Sequence, residues 1–115
     1  MASRNFHASV RSLEYYPAVD AKTFAQQVEN GSGIVLVDFY ATWCNPCKML
    51  TPVLKKVAEQ KNIDLVTIDV DENNEIAAKY QIRAMPTVIA FKDGKVVNQF
   101  TTLNYSFAAL SGRIA

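Results

Sequence analysis

The segment from Ile34 to Tyr40 is apolar and rich in β-branched residues, and Asp38 is the one charged side chain within it. Such a run predicts a strand buried on both faces of a sheet, because a strand with one face in water alternates apolar and polar residues. Strands of this kind belong mainly to parallel sheets that helices cover on both sides. We therefore expect a domain of the α/β class, built around this strand.

Strand and helix patterns alternate on either side of this central strand. Before it, Leu13 to Tyr16 predicts a short strand, and Asp20 is the expected N-cap of a helix that ends near Asn30. After it, the patterns predict a helix that opens at the cysteines, a strand over 63–70, a helix over 74–80, strands over 87–91 and 95–100 joined at Asp93-Gly94, and a last helix over 105–114. The order β-α-β-α-β-α-β-β-α predicts a central mixed five-stranded sheet flanked by four helices, with the hairpin as its antiparallel edge.

Composition limits the classes of partner. The chain has 115 residues, the size of one domain, and half of them are hydrophobic, which is enough to build a core. A formal net charge of +1 gives no electrostatic reason to expect nucleic acid or an anionic membrane as a partner. The apolar run from Ile34 to Val37 is too short to cross a bilayer. We therefore expect a soluble monomer with no nucleic-acid or membrane partner.

The first residues differ in character from the rest. Residues 1–13 contain arginines and serines but no acidic residue, which is typical of a mitochondrial transit segment. Arg4, Phe6 and Ser9 fit a two-step mitochondrial cleavage pattern, after which the mature chain would start at Glu14. This divides the chain into a leader, 1–13, and a folded domain, 14–115, and predicts a location in the mitochondrial matrix. The alternative is a disordered tail on a cytoplasmic protein.

Cys44 and Cys47 are the only cysteines, and His7 is the only histidine. A disulfide scaffold requires more cysteines at wider spacing, and a structural zinc site requires four ligands, so we predict no metal within one chain. A site shared between two chains is the remaining route to a metal. Because His7 lies in the predicted leader, a hydrolase with a Cys–His pair is also disfavoured.

The two cysteines stand where the buried strand gives way to a helix. Thiol–disulfide exchange needs a thiolate, and the unpaired N–H groups and positive dipole end of a helix N-terminus favour one. A stabilisation of about 1–2 kcal/mol would lower the pKa of Cys44 by about one unit. Pro46 suits the first turn because no backbone N–H is needed there. The spacing predicts an exposed Cys44 that attacks and a more buried Cys47 that resolves.

Three segments resemble the thioredoxin family: Val37 to Lys48 resembles its active-site block, Ile82 to Thr87 its second block, and Phe91 to Gly94 its hairpin. The resemblance extends in order from about residue 18 to 114. It implies the thioredoxin fold and reduction of protein disulfides by a Cys44/Cys47 dithiol, through a mixed disulfide on Cys44. The chain has no glycine-rich dinucleotide motif, so the resemblance implies no bound cofactor and a thioredoxin reductase as electron donor.

The resemblance also implies roles for neighbouring residues. Pro86 matches the family's cis-proline, and the backbone of Met85 would then pair with an extended substrate segment. Trp43 matches the tryptophan that offers an apolar docking face beside the nucleophile. Asp38 matches the buried carboxylate that assists proton removal from Cys47. Read without the resemblance, Pro86 is an ordinary proline at a strand start and Asp38 a surface acid at a strand end.

Three positions depart from the family pattern. Asn45 replaces a common glycine, and its amide is expected either to donate a hydrogen bond to the Cys44 sulfur or to be solvated. Thr67 stands where many relatives have a lysine near the buried aspartate. Thr102 replaces a glycine that lines the substrate groove. The candidate substrate-binding residues are therefore Trp43, Asn45, Pro46, Met85, Pro86 and Thr102.

Two other functional classes compete with a reductase. A binding module of this fold would not need both cysteines, and both are present. A disulfide oxidant or isomerase usually carries a histidine between its cysteines and belongs to an oxidising compartment. Asn45 and the lack of a secretory signal argue against that class.

Overall fold

The computed structural model describes residues 15–17 and 19–101, and its centre is a five-stranded sheet. The strands are β1 (Tyr15–Tyr16), β2 (Ile34–Tyr40), β3 (Asp64–Asp69), β4 (Thr87–Lys92) and β5 (Lys95–Phe100). They lie in the order β1-β3-β2-β4-β5. The pairings of β1, β3 and β2 are parallel, whereas β4 and β5 are antiparallel to their neighbours. The predicted mixed sheet is therefore confirmed.

The described helices are α1 (Ala21–Phe24), which continues as a π-helical segment (Ala25–Glu29), α2 (Asn45–Lys61) and α3 (Asn74–Lys79). The side chain of Asp20 caps α1, as predicted, by accepting a hydrogen bond of 2.8 Å from the backbone N–H of Thr23. The predicted last helix over 105–114, the leader and Thr102 lie outside the described residues. Within them, no helix has the length and apolar character to cross a membrane.

The central strand β2 is buried on both sides, as its sequence predicts. Residues 35–39 are each at most 3 % exposed, and their side chains alternate between two core clusters. Val35, Val37 and Phe39 belong to a cluster with Phe24 of α1. Leu36 packs in the other cluster, which includes the apolar stripe of α2. Asp38, two residues after Leu36, lies on this second side, beneath α2.

The hairpin between β4 and β5 also closes onto the start of β2. Asp93 and Gly94 both have positive φ angles, 53° and 85°, which the two-residue turn requires and which glycine adopts at little cost. The carboxylate of Asp93 accepts a hydrogen bond of 2.8 Å from the backbone N–H of Gly33, and its own N–H donates to the Gly33 carbonyl at 3.0 Å. A Cβ atom at Gly94 would collide with the backbone carbonyl oxygen of Glu29.

Candidate active site

Cys44 is the N-cap of α2, directly after the loop that follows β2. Its sulfur accepts a hydrogen bond of 3.2 Å from the backbone N–H of Cys47, one of the helix-start donors that lack a partner within the helix. Pro46 lies in the first turn, where it removes no needed donor. The sulfur of Cys44 therefore stands where a helix N-terminus favours negative charge, as the sequence predicts.

Cys44 and Cys47 are joined in a disulfide, with their Cα atoms 5.4 Å apart. The expectation that Cys44 is exposed is wrong for this oxidised state, because its exposed fraction is 4 %, against 1 % for Cys47. Both residues belong to the apolar cluster that also includes Phe39. Cys47 is the more buried of the two, as predicted, but by a small margin.

The peptide bond between Met85 and Pro86, directly before β4, is cis, as the resemblance implied. Pro86 is buried, and the half-buried Met85 packs against the cluster that contains both cysteines. The hydroxyl of Thr87 donates a hydrogen bond of 2.6 Å to the carbonyl of Ala84 and closes the turn before β4. Met85 is thus packed on the same cluster as the two cysteines.

Trp43 projects into solvent beside the disulfide, with 66 % of its surface exposed. Its indole Nε1–H donates a hydrogen bond of 2.9 Å to the Oδ2 atom of Asp71, in the loop after β3. The backbone N–H of Asp71 in turn donates to the Asp69 carboxylate at 2.9 Å. Asp71 is not among the site residues predicted from the sequence. The parallel strands β2 and β3 end at the same edge of the sheet, so the loops that follow them, with Trp43 and Asp71, could have been predicted to lie close together.

Asn45 lies exposed at the start of α2. The donor that the structure gives to the Cys44 sulfur is the backbone N–H of Cys47 rather than the Asn45 amide. The expected amide hydrogen bond concerns the thiolate of the reduced protein, so it stays a prediction. Thr102, the remaining candidate for the substrate groove, lies outside the described residues.

Asp38 is fully buried beneath α2. Its Oδ2 atom accepts a hydrogen bond of 2.9 Å from the hydroxyl of Thr51, while its Oδ1 atom has no hydrogen-bond partner in the described part of the chain. Burial raises the pKa of Asp38 from 3.8 to about 7, and the hydrogen bond from Thr51 opposes part of that rise. Near neutral pH, this carboxyl group therefore exchanges its proton readily, as an acid–base group must.

Thr51 also contacts the resolving cysteine. Its hydroxyl lies 3.2 Å from the backbone carbonyl oxygen of Cys47. Thr51 is not among the site residues predicted from the sequence, although its position four residues after Cys47 places both on one face of α2. A cavity of about 360 Å³ opens behind the disulfide, and its walls include Cys47, Thr51, Thr67 and the ring of Tyr40.

The described residues contain no cluster of side chains that could bind a metal ion. Within residues 15–17 and 19–101, no three side chains of His, Cys, Asp or Glu lie together in a way that could hold an ion. His7 lies outside those ranges. The disulfide, the carboxyl group of Asp38 and the hydroxyl of Thr51 are the reactive and polar groups that the described residues bring together at this site.

Comparison with known proteins points to one family. The thioredoxin family model matches residues 16–110, a range that contains both cysteines. "Thioredoxin Asp f 29" of Aspergillus fumigatus is 49 % identical over 88 residues, which cover 74 % of this chain and 80 % of that protein. A thioredoxin of Staphylococcus aureus is 50 % identical over 78 residues, covering 66 % and 73 % of the two chains. The solved structure of a mutant thioredoxin from Halobacterium salinarum NRC-1 superposes with a TM-score of 0.78 at 38 % identity and covers 88 % of each chain.

Proposed function

The chain belongs to the thioredoxin family of thiol–disulfide oxidoreductases, and we propose that in it Cys44 attacks protein disulfides and Cys47 resolves the product. The observation that carries this assignment is the hydrogen bond from the Cys47 N–H to the Cys44 sulfur. When the disulfide is reduced, the same donor and the helix dipole stabilise a thiolate on Cys44. Cys47 is one turn further into the helix and receives less of this stabilisation.

The exchange proceeds in two steps. The Cys44 thiolate attacks one sulfur of the substrate, a mixed disulfide forms, and the other substrate sulfur leaves as a thiolate. Cys47 then loses its thiol proton and attacks the Cys44 sulfur. The mixed disulfide breaks, the second substrate thiolate leaves, and the Cys44–Cys47 disulfide of the structure remains. Two electrons have passed from the dithiol to the substrate, and no cofactor is needed.

We assign the proton from Cys47 to Asp38. This carboxyl group is buried beneath the helix that carries Cys47, and a pKa of about 7 means that a large fraction is ionised and able to accept a proton at neutral pH. Thr51 joins the two residues, because its hydroxyl lies near both the Asp38 carboxylate and the Cys47 carbonyl. Asp38 is thus proposed as the general base of the resolving step.

The surface around the disulfide is proposed to bind an extended segment of the substrate. The Met85 backbone next to the cis peptide bond supplies main-chain hydrogen-bonding groups, in the manner of an added strand. The exposed ring of Trp43 supplies an apolar face on the other side. Asn45 and Pro46 form the rim at the helix start, and Thr102 stays a candidate on its sequence position alone.

Family membership supports disulfide-containing proteins as substrates and a reductase as the source of electrons, and we propose a thioredoxin reductase.

The spacing of Arg4, Phe6 and Ser9 supports a mitochondrial matrix location, with the cytoplasm as the alternative. N-terminal sequencing of protein recovered from fractionated cells tests this. A chain that starts at Glu14 in the mitochondrial fraction supports import, and an intact N-terminus in the cytosol contradicts it.

Reduction of insulin disulfides tests the proposed roles of the cysteines. Cys44→Ser should abolish activity, because the stabilised thiolate is lost. Cys47→Ser should still attack but accumulate a mixed disulfide, which non-reducing electrophoresis detects as a covalent adduct. Cys44→Ser/Cys47→Ser is the matched control for background. An adduct on Cys44→Ser and none on Cys47→Ser would reverse the assignment.

A further inference from the structure

Thr51 contacts both residues that exchange a proton in the proposed reaction, Asp38 through its carboxylate and Cys47 through its backbone carbonyl. Its hydroxyl is 2.9 Å from Asp38 Oδ2 and 3.2 Å from the carbonyl oxygen of Cys47. The hydroxyl group has one proton, so it donates a hydrogen bond to one of these acceptors at a time. Thr51 is therefore placed to respond to the protonation state of Asp38 on one side while contacting the Cys47 turn of α2 on the other.

A hydroxyl group suits a partner that gains and loses a proton, because it can both donate and accept. When Asp38 is ionised, the hydroxyl donates to Oδ2. When Asp38 carries the proton on Oδ2, the carboxylic acid donates to the Thr51 oxygen, and the hydroxyl turns to donate to the Cys47 carbonyl. Oδ2 thus keeps a hydrogen bond in both states, which matters in a buried site where an unpaired polar atom is costly.

The residues paired with Asp38 on the two neighbouring strands bring no charge to it. Its strand neighbours are Thr67 on β3 and Val88 on β4, neither of which is charged. Burial and the Thr51 hydrogen bond are the two causes that set its pKa. The titratable groups nearby are Cys47 on α2, once it is reduced, and Tyr40 on β2, whose pKa is raised by burial and then by the charges of Asp69 and Asp38. Lys48 of α2 lines the adjoining cavity.

We propose that Thr51 is a positioning residue for the resolving step, whose hydroxyl reverses its hydrogen bond with Asp38 as that residue takes up and releases a proton. This inference rests on the proposed role of Asp38 as general base. It assigns a chemical task to a residue that does not itself touch the substrate or the reacting sulfur atoms. It also identifies what stabilises the Asp38 carboxylate in a chain that has Thr67, and not a lysine, at the neighbouring position of β3.

The first experiment compares Thr51→Val, which removes the hydroxyl at nearly constant shape, with Thr51→Ser, which keeps it. The pKa of Asp38 is read from the ¹³C resonance of its carboxyl group in the oxidised protein, where neither cysteine titrates. Thr51→Val should raise this pKa by about one unit, since a hydrogen bond to the charged form is lost. Thr51→Ser should stay near the wild type. Thr42→Val is the matched control, because it removes a hydroxyl from an exposed residue on the wall of the same cavity.

The second experiment follows the decay of the mixed disulfide in single-turnover reduction as a function of pH. Thr51→Val should slow this step several-fold at pH 7 and approach the wild-type rate at pH 9, because its Asp38 ionises at higher pH. In an Asp38→Asn background, Thr51→Val should have no further effect, since Thr51 acts through Asp38. An additive effect in that background would overturn the inference.

The outcomes separate this inference from the proposed function. If Asp38→Asn slows the resolving step but Thr51→Val leaves the Asp38 pKa unchanged, Asp38 is the base and the inference about Thr51 is wrong. If Asp38→Asn leaves the resolving step at the wild-type rate, the proposed role of Asp38 fails instead, and the inference that rests on it fails with it. If Thr51→Ser behaves like Thr51→Val, the hydroxyl is not what matters and the inference is again overturned.

Discussion

The carboxyl group of Asp38 is buried among side chains that are mostly apolar. Its pKa in the folded chain is about 7, while a pKa near 3.8 applies when the chain is unfolded. Between about pH 4 and pH 7, the unfolded chain has therefore already lost a proton that the folded chain keeps. The free energy of unfolding falls as the pH rises through this window, and the loss is complete above the folded pKa.

Asp38→Asn removes this pH-dependent loss, because an amide does not ionise. We expect the variant to be more stable than the wild type at pH 8 by a few kcal/mol, the free energy that corresponds to the difference between the folded and unfolded pKa of Asp38. Near pH 4 we expect no such gain. Urea unfolding at both pH values measures the difference. A variant that is clearly less stable than the wild type at pH 8 would contradict the burial of an ionised carboxylate.

At the level of helices and strands, the site is formed where three chain segments meet. The loop after β2 carries Trp43, the loop after β3 carries Asp71, and the turn before β4 carries the cis peptide bond. The parallel pairing of β2 with β3 brings the first two loops to one edge of the sheet. The antiparallel pairing of β4 with β2 brings the start of β4 to that same edge.

Asp71→Ala removes the acceptor for the Trp43 indole. The ring should become more mobile, and the apparent KM for protein disulfides should rise a few-fold. The free energy of unfolding should change by less than about 1 kcal/mol, because this hydrogen bond is exposed to water. Trp43 is the single tryptophan, so fluorescence anisotropy reports its motion directly. Asp71→Asn keeps an acceptor oxygen and is the control. Equal anisotropy in all three proteins would mean that Asp71 does not hold the ring.

Much of this arrangement was predictable from the sequence because it depends on neighbouring residues. The apolar run of β2, the Asp93-Gly94 turn and the helix start at Cys44 are local signals, and the structure confirms each of them. Thr51 and Asp71 were missed because the hydrogen bond of Thr51 with Asp38 and that of Asp71 with Trp43 each join residues of different elements. The burial of Cys44 was missed because it depends on tertiary packing around the disulfide.

The π-helical segment over Ala25–Glu29 was also unpredicted, because no local pattern marks it. The backbone N–H of Asn30 donates to the Ala25 carbonyl at 2.8 Å, which is the wider spacing of a π-helix. The carboxylate of Glu29 then accepts hydrogen bonds from Lys79 and Tyr80 at the end of α3, at 2.7 Å and 2.6 Å. The wide turn is thus associated with tertiary contacts that local sequence does not encode.

At the scale of the whole molecule, the sheet separates two apolar clusters, one beneath α1 and α3 and one beneath α2. Rings of Phe24, Phe39, Tyr80 and Phe91 pack mainly edge to face in the first cluster, with centroids 5.4 to 6.4 Å apart. The first described strand of the sheet begins at Tyr15, and the family match begins at residue 16. The predicted boundary at Glu14 lies outside the described residues and stays a prediction.

If the folded domain starts at Glu14, as the sequence predicts, a chain that begins there should fold and reduce insulin as well as the full chain. Its melting temperature should lie within a few degrees of the full-length value, since residues 1–13 precede the first described strand, Tyr15–Tyr16. Calorimetry of the two proteins under identical oxidised conditions makes the comparison. A large loss of thermal stability would show that the first residues pack onto the domain.

The assignment of Cys44 as the attacking thiol is tested most directly by alkylation of the reduced protein. A limiting amount of iodoacetamide is added near pH 7, and mass spectrometry of peptides determines which cysteine carries the label. Because the start of α2 stabilises a thiolate on Cys44 and Cys47 is more buried, Cys44 should be labelled first and with an apparent pKa below that of a free thiol. Preferential labelling of Cys47, or equal labelling of both, would contradict the account.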